Sequence, residues 1–295
     1  MADVEPVTAS LGTLVQAYVD EQCGVILDAR AALTAHDEAA VHPVRVAIRR
    51  LRATLSTFGS VYDEDDAARL AHELRWAGAL LGVVRDLQVL AKRFADLDRT
   101  TVTESTAGAV SAVQRALGDR TEHDRASAWQ DVSIALNGPR GMALFTELAR
   151  WRDDPPFGLW AARPAKKARA EVEKADARVR SRLRRASAAA NAGEDAAVRL
   201  MHDARKAAKR HRYAVELAEP VLGVTADEMI ARRRDLQDAL GAHQDAVVAL
   251  GYLQRVAPTA QLRATASAFS ELITRTREQV DDVSGVLSEA ARIES

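Results

Sequence analysis

Residues 42–52 read HPVRVAIRRLR, and residues 202–212 read HDARKAAKRHR. At a constant offset of 160, His42 aligns with His202, Arg45 with Arg205, Arg49 with Lys209, Arg50 with Arg210 and Arg52 with Arg212. On a helix His42, Arg45, Arg49 and Arg52 fall within an arc of about 80° and form a stripe about 15 Å long. The same holds for His202, Arg205, Lys209 and Arg212. Val44, Ile48, Leu51 and Leu55 occupy a different face, so each helix offers an apolar side for packing and a cationic stripe beside it. Like charges one turn apart cost a helix a few tenths of a kcal/mol each, so helix stability does not account for the pattern; a polyanion neutralising the stripe would. Arginine dominates, and its planar fork suits phosphate oxygens.

About forty residues further on a second echo appears, now at offset 159. LLGVVRDLQVL (80–90) aligns with ALGAHQDAVVA (239–249), matching Leu81-Gly82 with Leu240-Gly241 and Asp86 with Asp245. Glycine inside a helix costs about 1 kcal/mol relative to alanine, which points to close packing against Gly82 and Gly241. Asp86 and Asp245, one turn on, are placed to orient either a basic side chain or the paired histidines. Two matched blocks at nearly constant offset read as an internal duplication.

The rest of the chain is written in helical period. Helices are expected from Ser10 (as N-cap) to Leu33, from His42-Pro43 to Phe58, and from Asp65 to Leu97. Two more are expected from Thr103 to Leu117 and from Asp124 to Asn137. Breaks are expected at Asn137-Gly138-Pro139-Arg140-Gly141 and at Asp153-Asp154-Pro155-Pro156, and a turn at 191–195. The second half is expected to supply helices at 165–190, 196–219, 225–256 and 259–291. The domain therefore spans 10–290, with a first helical half at 10–150 and a second at 160–290.

Composition narrows the classes further. The chain has 295 residues, 47% hydrophobic and only 4% aromatic, which disfavours an all-β sandwich or barrel. One cysteine, Cys23, excludes an internal disulfide and a cysteine-based zinc site. No stretch approaches the ~20 apolar residues of a membrane span, and the opening MADVEPVTAS lacks a basic start and an apolar signal core, so a cytoplasmic protein is expected. The net charge of −1 conceals a basic block: residues 160–212 carry sixteen bases against six acids. Within it Arg178, Arg182 and Arg185 share a helix face just upstream of His202.

These motifs resemble the conserved-histidine α-helical domain family, CHAD. The resemblance rests on His42-x-x-Arg45-x-x-x-Arg49-Arg50-x-Arg52 with Leu81-Gly82-x-x-x-Asp86, and on their second copies, His202-x-x-Arg205-Lys206-x-x-Lys209-Arg210-x-Arg212-Tyr213 with Leu240-Gly241-x-x-x-Asp245. It covers roughly residues 10–290. What it implies is an all-α fold of two four-helix bundles related by a pseudo-twofold, enclosing a basic central groove or pore that binds inorganic polyphosphate without catalysing a reaction. A stand-alone protein without cofactor is expected, with targeting to polyphosphate granules as one role among others, such as buffering chain length or reporting phosphate status. The second copy departs at Gln244, where the first has Arg85, at His211 for Leu51, and at Asp235 for Trp76.

Two other functions compete. A nucleic-acid binder would also want cationic stripes, but single-strand readers intersperse stacking aromatics, and only Tyr213 borders a stripe. A metal phosphohydrolase could be read from His36-Asp37, His123-Asp124 and His202-Asp203, yet no second set of ligands accompanies them. Glu171-Val172-Glu173-Lys174 has the wrong spacing for the strand motif of a triphosphate tunnel hydrolase, and no phosphate-loop or nucleophile-elbow motif occurs.

Overall fold

The computed structural model describes residues 10–97, 107–194, 196–257 and 266–294, and among them every regular element is helical. Ser10 caps α1 (Leu11–Asp28) by accepting from the Thr13 N–H at 3.1 Å, as its position predicts. The expected continuation to Leu33 is interrupted at Ala29, after which a short α2 (Arg30–Thr34) follows. α3 (Glu38–Phe58) starts earlier than expected because Asp37, not His42, supplies the cap, accepting from the Ala39 N–H at 2.9 Å. Pro43 thus lies inside α3 rather than at its first turn. α4 (Glu64–Ala95) is capped by Asp63 and carries Lys92 and Arg93 in its last turn, opposite the charge of the helix C-terminus.

The two helices expected between 103 and 137 are one, α5 (Ala107–Asn137); the start expected at 103–106 lies outside the described residues. Gly118 and Thr121 do not stop it, since the Thr121 hydroxyl turns back to the Leu117 and Gly118 carbonyls at 2.9 Å. The expected loop at 137–141 contracts to a single corner residue, Gly138, and Pro139 opens α6 (Pro139–Asp153) at a position where its missing N–H costs nothing.

Four helices, α1, α3, α4 and α5, make the first bundle, and α6 closes the ring by packing between α5 and α1. In the second half α7 (Ala168–Asn191), α8 (Ala197–Leu222) and α9 (Thr225–Val256) are followed by α10 (Ala266–Asp281) and α11 (Val283–Glu294). The helix expected over 259–291 is therefore divided at Asp282, whose carboxylate accepts from the Gly285 N–H at 3.0 Å and starts α11; 259–265 lie outside the described residues, as do 1–9 and Asp195. α4 and α9, which carry the two Leu-Gly blocks, are both 32 residues long.

The halves share a core. Ala214, Val215, Leu217 and Ala218 of α8 and Leu253 of α9 join the first-half cluster around Leu51, Leu74, Leu81 and Trp151, while a smaller, alanine-rich cluster around Val179, Met201, Leu236 and Leu240 serves the second half alone. The connection between halves is pinned as well. Leu11 N–H donates to the Arg163 carbonyl at 2.6 Å, Asp63 N–H to Pro156 at 2.8 Å and Gly158 N–H to Val61 at 2.8 Å. Gly12 and Gly158 are required there: an added Cβ would lie 2.8 Å from the Ala161 Cβ or 2.6 Å from the Tyr62 carbonyl oxygen.

Candidate functional site: a cationic cleft between α3 and α8

α3 and α8 pack against each other across the junction of the halves. The apolar face of α3 is buried as its spacing predicts, with Val44, Ile48 and Leu51 at most 2% exposed. That burial turns the adjacent stripe toward a cleft of about 1030 Å³. α3 lends Arg45, Arg49 and Arg52 to its wall; α8 lends His202, Arg205, Lys206, Lys209, Arg210 and Tyr213. Arg75 of α4, a lone basic residue outside the repeated blocks that the sequence reading missed, completes the set. Against eight Arg and Lys side chains the lining contains one carboxylate, Glu64.

The remaining candidates fall elsewhere. Arg50 and Arg212 turn away from the cleft toward Glu216: Arg50 Nη2 lies 2.9 Å and Arg212 Nε 3.4 Å from its carboxylate. Tyr18 of α1 donates to the same carboxylate at 3.1 Å, and burial raises its phenol pKa far above the usual range. Both guanidiniums also lie over the Tyr213 ring. The two sequence-equivalent pairs are thus split, Arg52 and Arg210 in the cleft, Arg50 and Arg212 in a half-buried ion cluster. One signal was local: Glu216 is four residues from Arg212, whereas the residue four after Arg52 is Ser56.

His42 is exposed at the α3 end of the stripe, outside the cleft lining. Burial and the charges of Arg85, Arg49 and Arg45 hold its pKa below the usual histidine range. Arg178 and Arg182 of α7 approach Arg210, since their charges, after burial, depress its pKa. They extend the positive surface beyond the lining, and Arg182 also reaches the Asp203 carbonyl at 3.4 Å. Arg185 is exposed on α7 and outside the lining.

The repeated glycines and aspartates hold arginines. A Cβ on Gly82 would come within 2.6 Å of Arg45 Nη1. That same nitrogen donates to the Gly78 carbonyl at 3.0 Å, and Arg45 Nη2 lies 4.0 Å from Asp86. In the second copy Arg205 Nη2 is 3.5 Å from the Cβ position of Gly241, and Asp245 is its foremost favourable charge. Of the two roles left open for the aspartates, orienting a basic side chain is the one realised. His202 instead pairs through Nδ1 with Gln244 Oε1 at 2.5 Å, which gives the departure at Gln244 a function.

Protein acceptors do not satisfy this wall. The Nε atoms of Arg45, Arg49 and Arg205 are buried without a hydrogen-bond partner. Lys209 forms no ion pair among the described residues, and burial together with Arg205, Arg49 and Arg212 pushes its ammonium pKa down to about 7. The His-Asp dipeptides are used structurally. His36 stacks on Trp129, Asp37 caps α3, Asp124 pairs with Arg120 and accepts from Tyr252, and Asp203 pairs with Lys206.

Fold and site together define an all-helical protein whose two halves each turn a cationic helix onto one cleft. The chain belongs to the CHAD domain family, whose model matches residues 17–254. Among solved structures it is similar to PptA from Streptomyces chartreusis, with a TM-score of 0.76 and 23% identity over 96% of this chain and 100% of that one. It is also similar to the CHAD domain from the plant Ricinus communis, with a TM-score of 0.72 and 23% identity over 99% and 95%. Two uncharacterised Mycobacterium tuberculosis proteins, from strains CDC 1551 / Oshkosh and ATCC 25618 / H37Rv, are each 28% identical over 236 residues, 80% of this chain. The aligned region is only 44% of their length, so the chain spans less than half of these relatives. No helix among the described residues is long and apolar enough to cross a membrane.

Proposed function

We propose that this chain binds inorganic polyphosphate in the cleft between α3 and α8 and does so without turnover. The observation that carries the reading is the charge of the lining: eight Arg and Lys side chains face one carboxylate, with buried guanidinium Nε donors left unpaired. An anion with many equivalent oxygens supplies the negative charge that the wall lacks. The aromatics favour bare phosphate over nucleic acid. Tyr62 and Tyr213 in the wall are 3% and 2% exposed, so neither offers a face on which a base can stack.

The test is calorimetric titration with polyphosphate of defined length at 50 and 200 mM salt. If about six phosphates are neutralised, a slope near −0.7 per contact lowers affinity by about two to three orders of magnitude. Single-stranded DNA at matched phosphate concentration should compete poorly; equal competition would overturn the choice of ligand. Phosphate release with Mg²⁺ or Mn²⁺ should stay at background.

Binding should also take up a proton near neutral pH. Lys209 faces Arg49 of α3, Arg205 and Arg212 of α8, and Asp245 of α9, and titrates at about 7. A bound polyanion favours the ammonium and raises that pKa, so affinity is fully developed below pH 7 and weakens as pH rises through it. His202, held below the usual range by burial and Lys206, adds affinity only at more acidic pH. Titrations in buffers of different ionisation enthalpy would measure the uptake, and Lys209→Arg should abolish it near pH 7.5. Unchanged uptake in that variant would exclude Lys209 as the proton acceptor.

Gly82→Ala should separate binding from stability. The new methyl displaces the Arg45 guanidinium from its seat and lowers affinity by about tenfold or more, the low end of one lost charged contact of about 1.5–3 kcal/mol. Helix propensity rises meanwhile by about 1 kcal/mol, so the melting temperature should not fall. Gly241→Ala, where the contact with Arg205 is already an ordinary 3.5 Å, should leave affinity within twofold.

A further inference from the structure

We infer that Lys209 is a site of covalent acylation by acyl phosphates, small dianions that deliver an electrophilic carbonyl alongside a phosphate group. The inference rests on the anion-binding reading of the cleft but asks something different of it, a nucleophile instead of a charge. Of the six lysines, Lys92, Lys166, Lys167 and Lys174 are exposed outside the cleft and Lys206 lines it but is exposed; Lys209 alone is half-buried in its wall, between α3 and α8. Its neighbours there are guanidiniums, those of Arg49, Arg205 and Arg212, with Asp245 the foremost compensating carboxylate. Lys174 and Lys206, by contrast, are tied to Glu171 and Asp203 at 2.7 and 3.1 Å. The position equivalent to Lys209 in the first copy is Arg49, whose guanidinium cannot serve as a nucleophilic amine. One member of an otherwise arginine-rich pair is therefore the group that can become a free amine.

With the cleft empty, a half-buried lysine crowded by cations is in good part the neutral amine near pH 7.5, whereas an exposed lysine with a pKa of about 10.4 is neutral in about one molecule in a thousand. The lower basicity takes back part of that gain in nucleophilicity, and so does the bound dianion, which favours the ammonium, so the acylation rate should rise with pH above 7.5. The phosphate of an acyl phosphate would be held by the guanidiniums of Arg49 and Arg205, placing its carbonyl beside Nζ. The Nζ lone pair attacks the acyl carbon and forms the amide bond. The bond from that carbon to the phosphate oxygen breaks, inorganic phosphate leaves with the bonding pair, and one amine proton passes to water or to the departing phosphate. The product side chain is neutral and longer, so the cleft loses a cation and part of its space.

Acetyl phosphate is the probe, used on the unmodified full chain at pH 7.5, with acetylation of each lysine followed by peptide mass spectrometry. Lys209 should be acetylated at least tenfold faster than any of the other five. Its rate should saturate with acetyl phosphate and fall at least fivefold in excess tripolyphosphate. Acetic anhydride, which carries no phosphate, should react with Lys209 without saturating. A Lys209 rate no higher than that of Lys166 or Lys174 overturns the inference, and so does a fast rate that neither saturates nor responds to tripolyphosphate. Polyphosphate titration of the same preparation keeps the two readings apart: normal polyphosphate binding with slow acetylation defeats this inference alone, and absent polyphosphate binding defeats the proposed function.

Discussion

Arg49→Glu combined with Arg210→Glu should weaken polyphosphate binding by about 10³-fold or more, with little loss of thermal stability. Charge-assisted contacts to phosphate are worth about 1.5–3 kcal/mol each, so losing two already accounts for a change of this order, and two introduced carboxylates add repulsion. The fold should tolerate the change because neither arginine is committed to a protein carboxylate. Arg49 has a buried, unpaired Nε, and the charges that act most on Arg210 are those of Arg182, Arg178 and Arg52. The new glutamates relieve like-charge crowding on both sides of the cleft, against Arg205 and Lys209 in one case and Arg52 and Arg182 in the other. Calorimetry and a thermal melt on the same preparation check both halves of the expectation. Affinity within threefold of the unsubstituted protein would remove the cleft as the binding site.

Arg233→Ala should lower stability by about 3–5 kcal/mol, the cost of breaking a buried ion pair from one side. Arg233 is 3% exposed and ties the second half together. It pairs with Asp176 of α7 and Glu294 at the end of α11, and its Nε donates to His211 Nδ1 on α8 at 3.0 Å. Truncation strands two carboxylates next to a buried imidazole and unhooks α11 from the bundle. Denaturant unfolding would measure the loss, and limited proteolysis should cut first within α11. Arg233→Met with Asp176→Asn, which removes charge from both sides, should recover part of it. A loss below about 1 kcal/mol would mean that the cluster is solvated. The cluster also sets an acid response. Burial first, and Arg233 second, hold His211 below the usual histidine range, so the unfolded chain binds its proton more readily. Stability from this group is present above about pH 6.5 and is lost as pH falls through the lowered value.

His211 is where the second copy of the basic block departs from the first, which has Leu51. From the sequence that substitution reads as an irregularity within a stripe. In three dimensions it is the acceptor for an arginine on another helix, and nothing in the spacing of α8 announces a partner 22 residues away. Glu216 is the complementary case. Its pairing with Arg212 one turn back was legible, but its capture of Arg50 from α3 needed the crossing of α3 and α8. Where two local signals competed, as at Gly118 and Asn137-Gly138, tertiary packing of α5 against α4 and α6 overrode the weaker propensity and left a continuous helix and a one-residue corner.

The order of the chain by itself determined the helices, their buried faces and the existence of two matching cationic stripes, because a period of 3.6 residues assigns each side chain to a face with no knowledge of what lies opposite. It also pointed to a close neighbour at Gly82 and Gly241, which the structure bears out at Gly82 (2.6 Å) but reduces to an ordinary 3.5 Å contact at Gly241. Only the folded arrangement decided that this neighbour is an arginine, that Arg52 and Arg210 share one cleft while Arg50 and Arg212 are neutralised by Glu216, and that Arg75 joins them. Whether a cation is free or paired depends on distances across helices that are far apart in the chain, and charge interactions at those distances are set by burial and neighbours instead of by spacing.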